Sequence, residues 1–121
     1  MPIDPRVPLA VDDIRRRLAD TDSISLPRRE LTKVWRHADA LRLFESWKHD
    51  PPDERDAWAE MMKPLRARLS RGRAMELQLA LEEAGIHCDP ALGRLTSMTA
   101  VVRIYRKWRD PKSTAWSAAA S

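Results

Sequence analysis

From Leu31 to Trp47 the apolar residues return at helical spacing. Leu31, Val34, Trp35, Ala38 and Leu41 share one stripe, and Leu43, Phe44 and Trp47 widen it. That period predicts a helix rather than a strand, and a stripe so broad places the helix at the centre of its fold. The chain holds only three glycines, Gly72, Gly85 and Gly93, and its other long segments repeat the pattern. The expected architecture is therefore all-α, a compact bundle of about five helices. Its 121 residues leave room for one domain, taken as residues 1–110, with 111–121 as a flexible tail. A hydrophobic fraction of 43% with five Trp is enough to furnish a core.

The remaining helices follow from local signals. Val7, Val11, Ile14 and Leu18 form one face of a first helix over about Leu9 to Ala19. On it, Asp12 precedes Arg16 by four residues and Asp13 precedes Arg17 likewise, the favourable order for pairs within a helix. "TDSISLP" reads as a break before the second helix, expected over Pro27 to Trp47 with Ser25 as a cap. Asp50 as N-cap, Pro51 at the first helical position and Asp53 and Glu54 in the first turn open a third helix. Trp58, Met61, Met62, Leu65 and Leu69 keep its phase across Pro64, which predicts one kinked helix or two abutting pieces. Gly72 is the expected stop, the alternative being a helix that runs through it at a cost of about 1 kcal/mol. A fourth helix is expected over Arg73 to Ala84, ending at Gly85.

Charge is placed unevenly. Residues 1–60 carry 11 Lys/Arg against 13 Asp/Glu, a net of −2, and residues 61–121 carry 11 against 5, a net of +6. A basic C-terminal half points to a polyanion partner, held by Coulomb attraction and counterion release. The bland alternative is a set of arginines that only solvate helix faces. One cysteine, Cys88, excludes an internal disulfide, and the sequence shows neither a signal-peptide core nor 18 consecutive apolar residues. A cytoplasmic location is the expectation.

The stretch "DPALGRLTSMTAVVRIYRKWR", Asp89 to Arg109, carries the functional signal. Asp89 and Pro90 can start a two-turn helix with Leu92 and Leu95 inward. Thr96 or Ser97 can then cap a longer helix, residues 97–109, whose Met98, Val101, Tyr105 and Trp108 form an inward stripe. A short helix, a tight turn and an amphipathic helix make the outline of a helix-turn-helix, with Arg73 to Ala84 as the supporting member of a unit over 73–109. In that geometry Thr99 and Ala100 suit close approach to bases and Arg103 suits a bidentate guanine contact. Arg94, Arg106 and Lys107 suit phosphates, and the N–H groups at Ser97 and Met98 could hold one more. Arg66, Arg68, Arg71 and Arg73 are further phosphate candidates.

The segment "LEEAGIHCDPALGRLTSMTAVVRIYRKWR" resembles the N-terminal DNA-binding segment of plasmid-borne KfrA-type regulators. The matching positions are Ala84–Gly85, Ser97, Thr99, Val102 and Trp108, about a quarter of the chain. The resemblance implies a helix-turn-helix that binds duplex DNA. The expected function is thus a small DNA-binding regulator of transcription or of mobile-element maintenance, acting as a homodimer on paired half-sites through its near-neutral N-terminal helices. The rival is a small helical protein–protein interaction module, an adaptor or inhibitor. RNA binding would use the same basic half, but lacks an exposed aromatic platform.

Other chemistry finds little footing. His87, Cys88 and Asp89 are adjacent and point apart, and His37 and His49 are isolated, so no metal or cofactor is expected. No Ser-His-Asp order, phosphate loop or HExxH occurs, and a Cys88/His37 pair is selected by nothing, so an enzyme is not expected. Trp35, Trp47, Trp58 and Trp108 lie on or near apolar stripes and are assigned to the core, with a rim position at an interface as the alternative. Trp116, in the tail, could dock on the body or on a partner. A membrane role is not expected, because the apolar faces are needed inside.

Overall fold

The computed structural model describes residues 3–106. It contains helix α1 (Arg6–Arg17), strand β1 (Ser23–Pro27), helices α2 (Arg28–Trp47), α3 (Glu54–Met62) and α4 (Arg71–Glu83), and strands β2 (Ile86–Asp89) and β3 (Val101–Arg106). Single 3-10 turns occupy Pro64–Arg66 and Leu92–Arg94. The strands form one antiparallel sheet in the order β1-β3-β2. The all-α expectation is therefore overturned, since the fold mixes four α-helices with a sheet.

The largest correction falls on residues 97–109. Ser97 to Ala100 is a turn, closed by the Ala100 N–H on the Ser97 carbonyl and hydroxyl, and Val101–Arg106 is the central strand. Val102 and Ile104 are fully buried while Val101 and Arg103 are exposed, which is a period of two. A short run rich in β-branched and aromatic residues satisfies either period, and the partner strands decide. Leu26 and Ile24 of β1 stand opposite Val102 and Ile104, and Cys88 of β2 stands opposite Ile104. The "SISLP" break is the first strand for the same reason. Helical positions that carry the resemblance, such as Val102, are strand and turn here, and Lys107, Trp108 and the tail with Trp116 lie outside the described residues.

Smaller corrections concern helix ends. Asp53, not Asp50, caps α3, its carboxylate accepting the Asp56 N–H at 2.8 Å. α3 stops at Met62 and Pro64 begins a separate 3-10 turn, so of the two expected forms this stretch is two abutting pieces and not one kinked helix. Gly72 does not end a helix but lies in the first turn of α4, because Ser70 caps that helix by accepting the Arg73 N–H at 3.2 Å. α4 instead ends at Gly85, whose φ of +79° is the left-handed conformation that side chains resist, and β2 follows at once. The Asp13–Arg17 pair forms as expected, at 3.0 Å.

The core lies where α1 packs against both α2 and α4, with the sheet alongside. Trp35, Ile14, Leu31, Leu77, Leu81 and Ile104 are among its fully buried side chains, each worth about 1.5–3 kcal/mol of burial. One corner of this core is closed by charge. Arg6 covers the Trp35 ring at 4.8 Å and pairs with Asp4 at 2.6 Å and Asp39 at 3.7 Å. Arg42 holds Asp39 from the same helix, and Arg73 of α4 reaches Asp4 at 3.2 Å. The hydrogen bond from Arg6 holds the Asp4 carboxyl below its ordinary range, against the opposing effect of burial.

Candidate nucleic-acid interface

The connection from β2 to β3, residues 90–100, does not project into solvent. It folds back along α4, where the Leu92 N–H donates to Gln78 Oε1 at 2.8 Å in the middle of the helix and Gly93 lies against Met75 and Arg71 nearer its start. It then crosses the start of α2, whose Arg28 and Arg29 N–H groups donate to the Ala100 and Met98 carbonyls at 2.7 and 3.1 Å. The first turns of α2 and α4 are thereby brought to one place.

Between them lies a groove of about 340 Å³. Its floor is apolar, with Leu31, Leu69, Ala74, Leu92 and Leu95 all buried. Its polar lining is Arg28 from α2, Arg71 from α4, and Arg94 and Thr96 from the connection, with no Asp or Glu among the described residues that line it. Arg29, Arg66 and Arg68 are exposed nearby in the chain.

The arginines stand at the wrong ends of their helices for local stability. A helix N-terminus carries partial positive charge, and a cation there is unfavourable by about 0.3–1 kcal/mol. Yet α2 begins Arg28–Arg29, with Glu30 the acid of its first turn, and α4 begins Arg71–Gly72–Arg73 with no acid in its own. Helix dipoles and guanidinium groups of like sign thus converge on one groove. What relieves such an arrangement is an anion.

The residues singled out from sequence scatter across the molecule. Arg94 lines the groove, and Ser97 and Thr99 are exposed on the turn beside it, their hydroxyls 3.3 Å apart. Ala100 is half-buried and its carbonyl is engaged by α2. Arg103 is exposed at the middle of the sheet's outer face, between Ser25 and Asp89, rather than on a helix. Arg106, at the far end of β3, donates to the Leu18 and Ala19 carbonyls and so closes the C-terminal end of α1. Arg73 belongs to the charged corner, with Asp4 and Glu76. Arg28 is not among the residues singled out from sequence, and Thr96 is there only as a helix cap. Arg71 is among the further phosphate candidates, although the sequence places it at the end of a preceding helix. The available signal was an arginine directly after Pro27 or Ser70, at the positive end of a helix.

The other candidates separate. Cys88 is buried beneath the sheet, and burial, with Glu82 adding to it, pushes its thiol up to about 12. A thiol so hard to ionise is a poor nucleophile, and His37 is exposed on α2. No group of three His, Cys, Asp or Glu that could hold a metal ion occurs among the described residues. None of their helices is long and apolar enough to cross a membrane.

No family model matches the chain, and no curated protein or solved structure does either.

Proposed function

We propose that this chain is a DNA-binding protein, not an enzyme, and that it grips duplex DNA at the groove formed by Arg28, Arg71 and Arg94. One observation carries the reading: three guanidinium groups and the starts of two helices meet in a groove that no carboxylate lines among the described residues. A phosphate there meets the guanidinium charge and the first N–H groups of α4, since the Arg28 and Arg29 N–H groups of α2 are already held by the Ala100 and Met98 carbonyls. Thr96, Ser97 and Thr99 add hydroxyl donors along the same edge.

The contact differs from a recognition helix lying in a groove. Beyond its first turn the outward side of α4 carries Met75, Glu76, Leu79 and Glu83, and two carboxylates repel a phosphate backbone. α4 therefore meets DNA end-on, by Arg71 and its first N–H groups, and the connection 90–100 lies beside it. The order helix, strand, helices, then two strands closing on the first also resembles the layout of helix-turn-helix domains flanked by a β-hairpin wing. That likeness is one of topology and supports the reading without carrying it. Regulation of transcription or of mobile-element maintenance is the use that fits a small binder of this kind.

A titration of the full chain into a pool of random duplexes across a salt series tests the proposal. With about 4 to 6 phosphates neutralised, log K should fall against log salt with a slope of roughly −4 to −5. Replacing Arg28, Arg71 and Arg94 together by Ala should remove about three from that slope. Affinity that ignores all three changes removes DNA from this groove.

A further inference from the structure

Between α2 and α3 runs a second groove, of about 420 Å³, opposite in character to the first. Phe44, Trp58, Met61, Met62 and Leu65 line it, and each is exposed, Trp58 by 66% and Leu65 by 61%. α3 buries none of its residues, although Trp58, Met61, Met62 and Leu65 follow one another at helical spacing. A helix of nine residues is marginal alone in water, and its apolar face ordinarily packs against something.

We propose that a second copy of this chain covers this face, each α3 lying against the α2 of its partner about a two-fold axis. Three features select a copy rather than an unrelated protein. The five side chains expose on the order of 500 Å² of apolar surface, close to the apolar share of a standard interface, about 60% of about 800 Å² on each partner. An isologous contact uses the same patch on both partners, and here one face carries both the groove and the exposed Trp58 and Leu65 side chains that border it. Its charges are sorted likewise. Arg36 and His37 edge the groove on α2, while Asp53 and Asp56 mark the start of α3, so a two-fold sets the acids of each copy toward the bases of the other.

The pairing also has a length built into it. From Arg28 to Ala40, α2 rises about 18 Å, so measured along α2 alone a two-fold crossing it at Ala40 sets the two arginine grooves about 36 Å apart. One turn of duplex separates half-sites by about 34–36 Å. This spacing rests on the DNA reading above, whereas the pairing itself does not.

Sedimentation equilibrium of the full chain, from micromolar to near-millimolar concentration, tests the pairing. The wild type should be dimeric, and Trp58→Glu and Leu65→Lys should each halve the mass with an unchanged circular dichroism spectrum, since both side chains are surface residues of the monomer. Arg71→Glu should stay dimeric while losing DNA. A dimer that binds no duplex upholds the pairing and removes the DNA function. A wild type monomeric throughout, or a dimer indifferent to both substitutions, overturns the pairing, as does a monomer that instead holds another protein on this face.

Discussion

Arg71 and Arg73 share one turn of α4, and their surroundings could hardly differ more. Arg73 turns into the charged corner, where Asp4 lies 3.2 Å from its Nε and Glu76 lies 2.5 Å from Nη1. Arg71 lines a groove that it shares with Arg28 and Arg94 and, among the described residues, with no carboxylate. In the corner, opposite charges tie the start of α1 and the middle of α2 to α4, and the arginines there serve the fold. In the groove, like charges are held together by an apolar floor and by backbone hydrogen bonds, and no Asp or Glu is among the described residues that line it. Cation count alone would not separate the two regions. The acids decide.

Substitutions on the two sides of that turn should therefore have separable effects. The largest is expected from Arg71→Glu, which should weaken duplex binding on the order of 100-fold at about 0.1 M salt and leave thermal stability near that of the wild type. Asp4→Asn should do the reverse. It should cost about 1–2 kcal/mol of folding stability, read by urea denaturation, with DNA affinity unchanged. Asp4 has its pKa lowered by folding, so its contribution is present above its unfolded value of 3.8 and fades as pH falls through the depressed value. The acid limb of the stability profile should flatten in Asp4→Asn. Next comes Arg94→Ala, which should reduce the salt slope by about one and leave stability alone. The smallest effect on DNA is expected from Arg73→Ala, within about twofold in affinity. An Arg73→Ala loss as large as that of Arg71→Glu would erase the distinction between corner and groove.

The same contrast governs what could be read from sequence. Helices whose stripes are long, α1 and α2 above all, were legible nearly to their ends, because three or more turns of period 3.6 leave no other reading. Trp35 and Trp58 sit on similar-looking stripes, yet one is sealed in the core and the other is 66% exposed. Periodicity tells that a residue shares an apolar face, not whether anything within the chain covers it. The sheet was illegible for a related reason. "VVRIYR" and "IHCD" are too short to fix a period, and what makes them strands is each other and "SISLP", brought together from three places in the chain. A helix over residues 97–109 gives Arg103 and Arg106 roles that their places on β3 do not support. Arg94, Ser97 and Thr99 stay near the groove because they flank it in the connection rather than on that helix. Arg28 was hidden because its signal is electrostatic misplacement at a helix start, visible only when that start is known to the residue.

Chemical-shift mapping of the isotope-labelled chain, with a duplex added stepwise at low salt, tests the central claim most directly. The account predicts that the largest amide changes fall on residues 28–31, 70–74 and 92–100, where the two helix starts and the connection meet. Changes confined to the outer face of the sheet around Ser25, Asp89 and Arg103, or to α3, or no change at all, would contradict it.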